Sequence, residues 1–360
     1  MLEIVPPGTN FDFLGKRYIA IGVSLVVIFI SIAAIPIVGI RMGIDFAGGT
    51  EVLLKFDPGS PAEEGIIRSL AESCGIQGVT VVRYGEVNVP EFLLRFRAAA
   101  SPSEAGETSC PVREEDRARV AAVRAAMSGG GEQSTADIAS TIDFLQSAFS
   151  NKIGGVTVER VEFVGPRVGE DLRRDGMLSI GVACLLILVY IGFRFSPRYA
   201  PGAVIALIHD VVITAGVFVV FGMEFDLSVL AALLAILGYS LNDTIIVYDR
   251  IREMTEQHTK HDLVDVLNRS VNQTLSRTLL TSGTTLLASA SLVALGGEVI
   301  RPFALAMMIG IIVGTYSSIF IAAPTLLFLE ERFGSAGSSK DQKSATRGSE
   351  RPSSKKAARA

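Results

Sequence analysis

The sequence predicts a polytopic α-helical membrane protein with six transmembrane helices and an α+β domain outside the membrane between helices one and two. Three observations predict it. Charge is scarce, with 33 basic and 37 acidic residues in 360, or 19%, against about 25% in an ordinary soluble domain. The shortfall comes in blocks: Tyr18 to Ile40, Gly176 to Phe193, Thr278 to Gly297 and Pro302 to Leu329 carry no charge at all, and each is close to or beyond the roughly 20 residues that cross a hydrocarbon core as helix. Between the first two blocks the pattern changes to the period-two alternation of strands.

The first span, 18–40, follows Lys16 and Arg17. Its apolar run exceeds the roughly 7 to 15 residues of a secretory signal core, so it reads as an uncleaved anchor. Spans two to six fall at 177–193, 201–223, 228–248, 278–297 and 303–329, and inside these bounds the only formal charges are Asp210 and Asp243.

Orientation follows from Lys and Arg in the short connections. One side collects Lys16, Arg17, Arg194, Arg198, Arg250, Arg252, Lys260, Arg269 and Arg277 together with the basic tail, while the other has only Arg301 in its two short loops. Both termini are therefore expected in the cytoplasm (residues 1–17 and 330–360), and residues 41–176 in the periplasm or its equivalent.

Within 41–176, alternation marks strands at Val52 to Phe56, Val79 to Tyr84, Phe92 to Phe96 and Val156 to Val164, and helical spacing marks Ile66 to Cys74 and Ile138 to Phe149. The order βαββαβ is the split-βαβ, ferredoxin-like plan. Residues 98–134, rich in Pro, Ser and Glu with a Gly129 to Gly131 run, interrupt it as a mobile insertion with one short helix near Glu114 to Met127. Cys74 and Cys110 lie in this region, where a disulfide is chemically allowed although nothing places them together; Cys184 in span two reads as a packing residue.

On the inner side, Leu263, Leu267, Val271 and Leu275 recur every four residues. They suit either a helix lying on the membrane surface or a packed connector. The tail from Gly334 has no apolar periodicity and reads as disordered, with Lys355, Lys356 and Arg359 available to anionic lipid or ribosomal RNA, or simply solubilising.

No soluble-type catalytic or metal constellation is present: there is no Walker A sequence, CxxC, HExxH or GxSxG, and only three histidines. The net charge of −4 gives no reason to expect a nucleic-acid partner. What remains is the pair of intramembrane acids, because an acid at mid-helix costs roughly 2.5 to 3.5 kcal/mol on insertion scales and marks a functional site by default. Counted from the cytoplasmic ends, Asp210 and Asp243 sit at similar depth and are positioned to face one another. Arg277 opens span five, and its side chain can reach inward toward Asp243. Such a set serves as a proton relay or as a static polar tie between helices. His209 beside Asp210 reads as packing or hydrogen bonding, since adjacent helix residues point apart. Gly310 and Gly314 form a GxxxG, and span five carries Ser282, Gly283, Thr284, Ser289 and Ser291, all suited to close helix approach.

The string GIDFAGGT at 43–50 resembles the signature that opens the exported domain of the SecD/SecF family, and LGYSLNDTIIVYDRIRE at 237–253 with NQTLSRTLLTS at 272–282 is similar to its SecF branch. The resemblance covers residues 10 to 330. It implies an RND-type six-helix subunit of the Sec protein-export machinery that pairs with SecD beside the SecYEG channel, with YajC as a further associate and membrane lipid as solvent. After SecA has pushed an unfolded preprotein through with ATP, the pair uses the proton motive force to draw it out. By the same resemblance Asp243 and Arg277 match the family's intramembrane acid and functional base, with Asp210 added from the residue argument. Gly43, Asp45, Gly48, Gly49, Thr50 and Asn242 belong to its structural motifs. Neither enzyme activity, metal nor cofactor is implied. The competing readings are a stand-alone RND-type exporter of small molecules, an intramembrane aspartyl protease built on Asp210 and Asp243, and a passive scaffold.

Overall fold

The structure, a computed structural model, describes residues 6, 9–74, 76, 78–84, 90–96, 135–257 and 262–334. Helix α1 (Arg17–Val38) is followed by a two-residue strand β1 (Arg41–Met42), one helical turn α2 (Ile44–Ala47), strand β2 (Gly49–Phe56), helix α3 (Glu64–Ser73), strands β3 (Thr80–Tyr84) and β4 (Glu91–Phe96), helix α4 (Thr135–Lys152) and strand β5 (Val156–Val164). The chain continues as α5 (Pro166–Arg194), α6 (Ala200–Val220), strand β6 (Glu224–Phe225), α7 (Leu227–Gln257), α8 (Leu263–Leu295) and α9 (Gly297–Ser317), then through a π-helical turn Ser318–Ala322 into α10 (Ala323–Leu329) and a last π turn Glu330–Gly334. Among the described residues six helical stretches are long and apolar enough to cross a membrane: Arg17–Val38, Pro166–Arg194, Ala200–Val220, Leu227–Gln257, Leu263–Leu295 and Val299–Arg332.

The sheet domain realises the expected βαββαβ order. Its strands run β3-β4-β2-β5, every pair antiparallel. Alternation places Val52, Leu54, Phe56, Val81, Phe92, Leu94 and Phe96 on one face, where they bury against Ile67, Leu70 and Ala71 of α3 and Ile142, Leu145 and Phe149 of α4. The sequence reads β5 as one period-two run, but its register slips between Leu53 and Leu54 of β2, leaving Glu159 as the extra residue. A bulge accounts for it, because Val156 and Val158 are out of phase with Val161 and Phe163 and one added residue restores each half to its own alternation. The opposite face is a ladder of ion pairs. Lys55 reaches Glu91 at 2.9 Å and Glu159 at 3.0 Å, whose carboxylates hold the ammonium above its ordinary pKa.

Three boundaries differ from expectation. Helix α5 begins at Pro166 rather than 177, so Arg167 to Asp175 are its outer turns and not part of a loop. The last helical stretch runs through Gly334, five residues into the segment 330–360 expected as a cytoplasmic tail; Arg198 holds Glu330 at 3.4 Å. Helices α7 and α8 have 31 and 33 residues, about 47 and 50 Å at 1.5 Å per residue, so both outrun a hydrocarbon core of about 30 Å. In the projecting turns Leu267, Val271 and Leu275 bury against Leu14 and Ile251. The Leu263 to Leu275 stripe is therefore the packed face of one continuous helix, and Asn268 and Asn272 grip the backbone of Phe13 and Phe11 at 2.9 and 2.8 Å.

Cys74 is disulfide-bonded, and Cys110, the candidate partner, lies outside the described residues, as do the insertion 98–134 and the tail from 335 onward. Cys184 is a free thiol.

Phe149 is fully buried and contacts Phe56 edge-on with ring centroids 6.3 Å apart. Phe149→Ala is expected to destabilise the sheet domain by about 3–5 kcal/mol, measured as a shift of the denaturant midpoint in a fluorescence unfolding curve of the full chain.

Candidate functional site

The two intramembrane acids are the most deeply buried charged side chains among the described residues, Asp210 at 0% and Asp243 at 1% exposure. Their environments differ. Asp210 on α6 draws donors from three helices: His209 Nδ1 lies 2.9 Å from its Oδ1, and its Oδ2 accepts from Ser240 Oγ on α7 at 2.5 Å and from Ser317 Oγ at the end of α9 at 2.8 Å. The sequence argument that adjacent side chains point apart fails here, because the short carboxyl and the imidazole ring bend toward each other. His209 is buried and hydrogen-bonded, as read from the sequence.

Around this corner Tyr316 donates to Ala20 O at 2.8 Å, Ser24 Oγ donates to Tyr316 at 3.3 Å, and His209 Nε2 sits 3.1 Å from Ser24 Oγ, so both ring nitrogens of His209 have a polar partner.

Asp243, on α7 one turn after Ser240, has far less. Its Oδ2 accepts from Ser282 Oγ of α8 at 3.2 Å, while its Oδ1 is buried with no hydrogen-bond partner. Thr315 on α9 donates to Ser282 at 2.7 Å, so a hydroxyl cluster of Ser240, Ser282, Thr315 and Ser317 lies between the acids. No hydrogen bond joins the two directly among the described residues. The small residues of the GxxxG make this possible: a Cβ on Gly314 would stand 3.0 Å from Ser240 Cβ and 3.5 Å from Asp210 Oδ2, and one on Gly310 would overlap Ile236. The motif thus packs α9 on α7 within this chain.

Two predicted members lie elsewhere. Arg277 is exposed on α8 and forms no ion pair with Asp243; its carbonyl accepts from Thr281 Oγ1 at 3.1 Å. Asn242 is exposed, because the residue beside Asp243 on a helix faces away from it.

The GIDFAGGT residues assemble at the other end of α7. Gly43 N donates to Phe225 O at 2.7 Å, and β1 pairs in parallel with β6. The Asp45 carboxylate accepts from Leu227 N, the first amide of α7, at 2.9 Å, and Asp226 accepts from Val229 N at 2.8 Å. Two acids on otherwise orphaned amides cap the positive end of that helix. Where the sequence suggested a turn leading straight into a strand, Ile44–Ala47 form one helical turn first. Gly48 then takes φ 71°, with its α-carbon facing Pro166 so closely that a Cβ would stand 2.8 Å away. Gly49 opens β2 and pairs with Val164, so the chain leaves for the sheet domain and returns from it side by side. Thr50 is buried in that neck. Sequence reasoning missed Glu224 and Arg95, whose side chains also meet at this end; the available signal was a pair of acids, Glu224 and Asp226, in the short loop 224–227.

A bundle of six membrane-length helices around two buried acids, with a four-stranded α+β domain set on a two-strand neck, defines a multi-pass membrane protein of the transporter type. The chain matches the family model "Protein export membrane protein SecD/SecF, C-terminal" over residues 145–332 and the SecD/SecF GG motif over 33–59. It belongs to the SecD/SecF family, on the SecF side. It is 40% identical over 325 residues to the protein translocase subunit SecF of Calditerrivibrio nitroreducens, covering 89% of this chain and 95% of that one. It is 41% identical over 329 residues to the SecF of Magnetococcus marinus, covering 91% and 95%. Among solved structures it resembles Thermus thermophilus SecDF, described as a translocon-associated membrane protein, with a TM-score of 0.71 and 32% identity over 90% of this chain; it spans 39% of that longer protein.

Gly314→Leu is expected to push α9 off α7 and cost about 1–3 kcal/mol as overpacking, read as a lowered melting temperature in detergent, whereas Gly283→Leu, at a position with open space, leaves it unchanged.

Proposed function

We propose that this chain is the SecF-type subunit of the Sec export machinery, acting with SecD beside SecYEG and YajC. In this reading it is an RND-type half that converts the proton motive force into movement of its sheet domain after SecA has delivered an unfolded preprotein. The domain is of ferredoxin-like type and stands on the outer side of the cytoplasmic membrane, both termini inside. The role is that of a non-catalytic subunit.

One observation carries the coupling: Asp243 presents a bare, buried carboxylate oxygen on the same helix whose first amide is held by Asp45 of the neck. A proton arriving at Oδ1 finds an acceptor with no competing donor, and its departure leaves a charge that the surrounding hydroxyls must turn to meet. Ser282 and Thr315 are placed to turn, which shifts α7 against α8 and α9. Asp210, held by His209, Ser240 and Ser317, serves as the fixed point. Exposed Arg277 supplies the cation when α8 rotates it toward Asp243. Each elementary charge moved through the membrane potential is worth about 2.3 kcal/mol per 100 mV, enough for several transfers to drive a domain movement.

The test is translocation of a preprotein into inverted membrane vesicles with SecA, SecYEG and SecD present. Asp243→Asn and Arg277→Ala are expected to abolish the gradient-stimulated part and leave the ATP-driven part intact. Undiminished gradient stimulation in both variants overturns the reading.

A further inference from the structure

We propose that Arg95 is a positioning residue that latches the sheet domain to α7, its guanidinium bridging Glu51 in the sheet and Glu224 in the α6–α7 turn. The proposal rests on the coupling reading above.

The covalent neck alone cannot transmit a tilt. It consists of β2 and β5 side by side, and a paired two-strand ribbon resists pulling along its length while leaving the sheet free to rock about it. A second attachment, off the neck axis, is needed to turn motion of a helix end into motion of the sheet. Arg95 is on β4, on the side of β2 away from β5, roughly 5 Å from β2 and 10 Å from β5 at the usual strand spacing. Its Nε donates to Glu51 and its Nη1 to Glu224.

Both ends of the bridge are firmly held. Glu51 is 6% exposed, directly opposite Arg95 in register, and its other oxygen accepts from Arg160 at 3.4 Å. Glu224 is paired through β6 to β1 and stands two residues before Asp226, which caps α7. It therefore moves with the first turn of the helix that carries Asp243. The contact is open to solvent on one side, with the Arg95 and Glu224 side chains 24% and 36% exposed, so it can open and close at less cost than a fully buried pair. Only a planar, forked cation serves both carboxylates at once. A merely stabilising surface ion pair is the alternative, and it predicts a change in melting temperature without a change in coupling.

The experiment uses the full chain with its SecD-type partner and the translocon in vesicles. Glu224→Gln, which leaves Arg95, Glu51 and Arg160 together, is expected to reduce gradient-stimulated translocation roughly fivefold or more, the lower end of measured couplings, with ATP-driven translocation and melting temperature unchanged. Arg95→Lys, keeping charge but losing the fork, is expected to behave likewise, and Glu224→Asp to retain most of the stimulation. Wild-type stimulation in both Glu224→Gln and Arg95→Lys overturns the latch. The second readout is the distance between spin labels at Val82→Cys and Phe221→Cys in a Cys184→Ser background, both sites exposed at 45% and 75%. Glu224→Gln is expected to broaden that distribution, and an unchanged distribution also overturns the proposal. If the unsubstituted protein shows no gradient stimulation, the coupling reading has failed on its own, and the spin-label distances still decide whether Arg95 ties the domain to the bundle.

Discussion

A carboxylate placed among apolar helices must be given donors, and the bundle is arranged around that demand. Asp210 takes a ring nitrogen from its own helix and hydroxyls from α7 and α9. Each donor must come within about 3 Å, which forces three helix backbones together and leaves no room for a side chain at Gly310 or Gly314. A lipid environment supplies no competing water, so an unmade bond there costs about 1–3 kcal/mol or more. The strong selection of small and hydroxyl-bearing residues at the centre follows from this single requirement. The π turn at Ser318–Ala322 belongs to the same arrangement: Pro324 brings no amide, and Tyr248 donates to the Ala322 carbonyl at 3.1 Å.

Against that satisfied centre, Asp243 stands out by what it lacks. Asp210 has partners on both carboxylate oxygens, whereas Asp243 is bonded on one oxygen only and stands three residues after Ser240 on α7. A pair of acids in unequal surroundings divides naturally into a fixed member and a working member, and the proposed relay assigns them so. Helix α7 then becomes the mechanical element. It carries Asp243 in its middle, and Asp45 and Asp226 hold its first turn.

Much of this architecture was legible in the sequence. Four charge-free runs and two apolar runs holding one acid each located all six long helices, because lipid permits no alternative to burying or pairing a charge, and period-two alternation located the four strands because one sheet face is packed. Glu159 and the start of α5 at Pro166 were misread, the first because a single alternation template ignores a one-residue slip, the second because charged turns outside the membrane still belong to a helix that begins in it. The Leu263 to Leu275 stripe showed an apolar face without showing what covers it.

Composition and periodicity thus determined by themselves that six stretches are long and apolar enough to span a membrane, that a βαββαβ pattern follows the first of them and that two acids lie inside apolar stretches. These are local consequences of hydropathy and side-chain period. Only the tertiary structure decided that Asp210 is saturated and Asp243 is not, that Arg277 points outward, that Asp45 caps a helix 182 residues away, and that Arg95 reaches Glu224. Those facts depend on which helix ends and strand faces meet across long stretches of chain, and side-chain hydrogen bonds form by proximity in space, which no sequence spacing encodes.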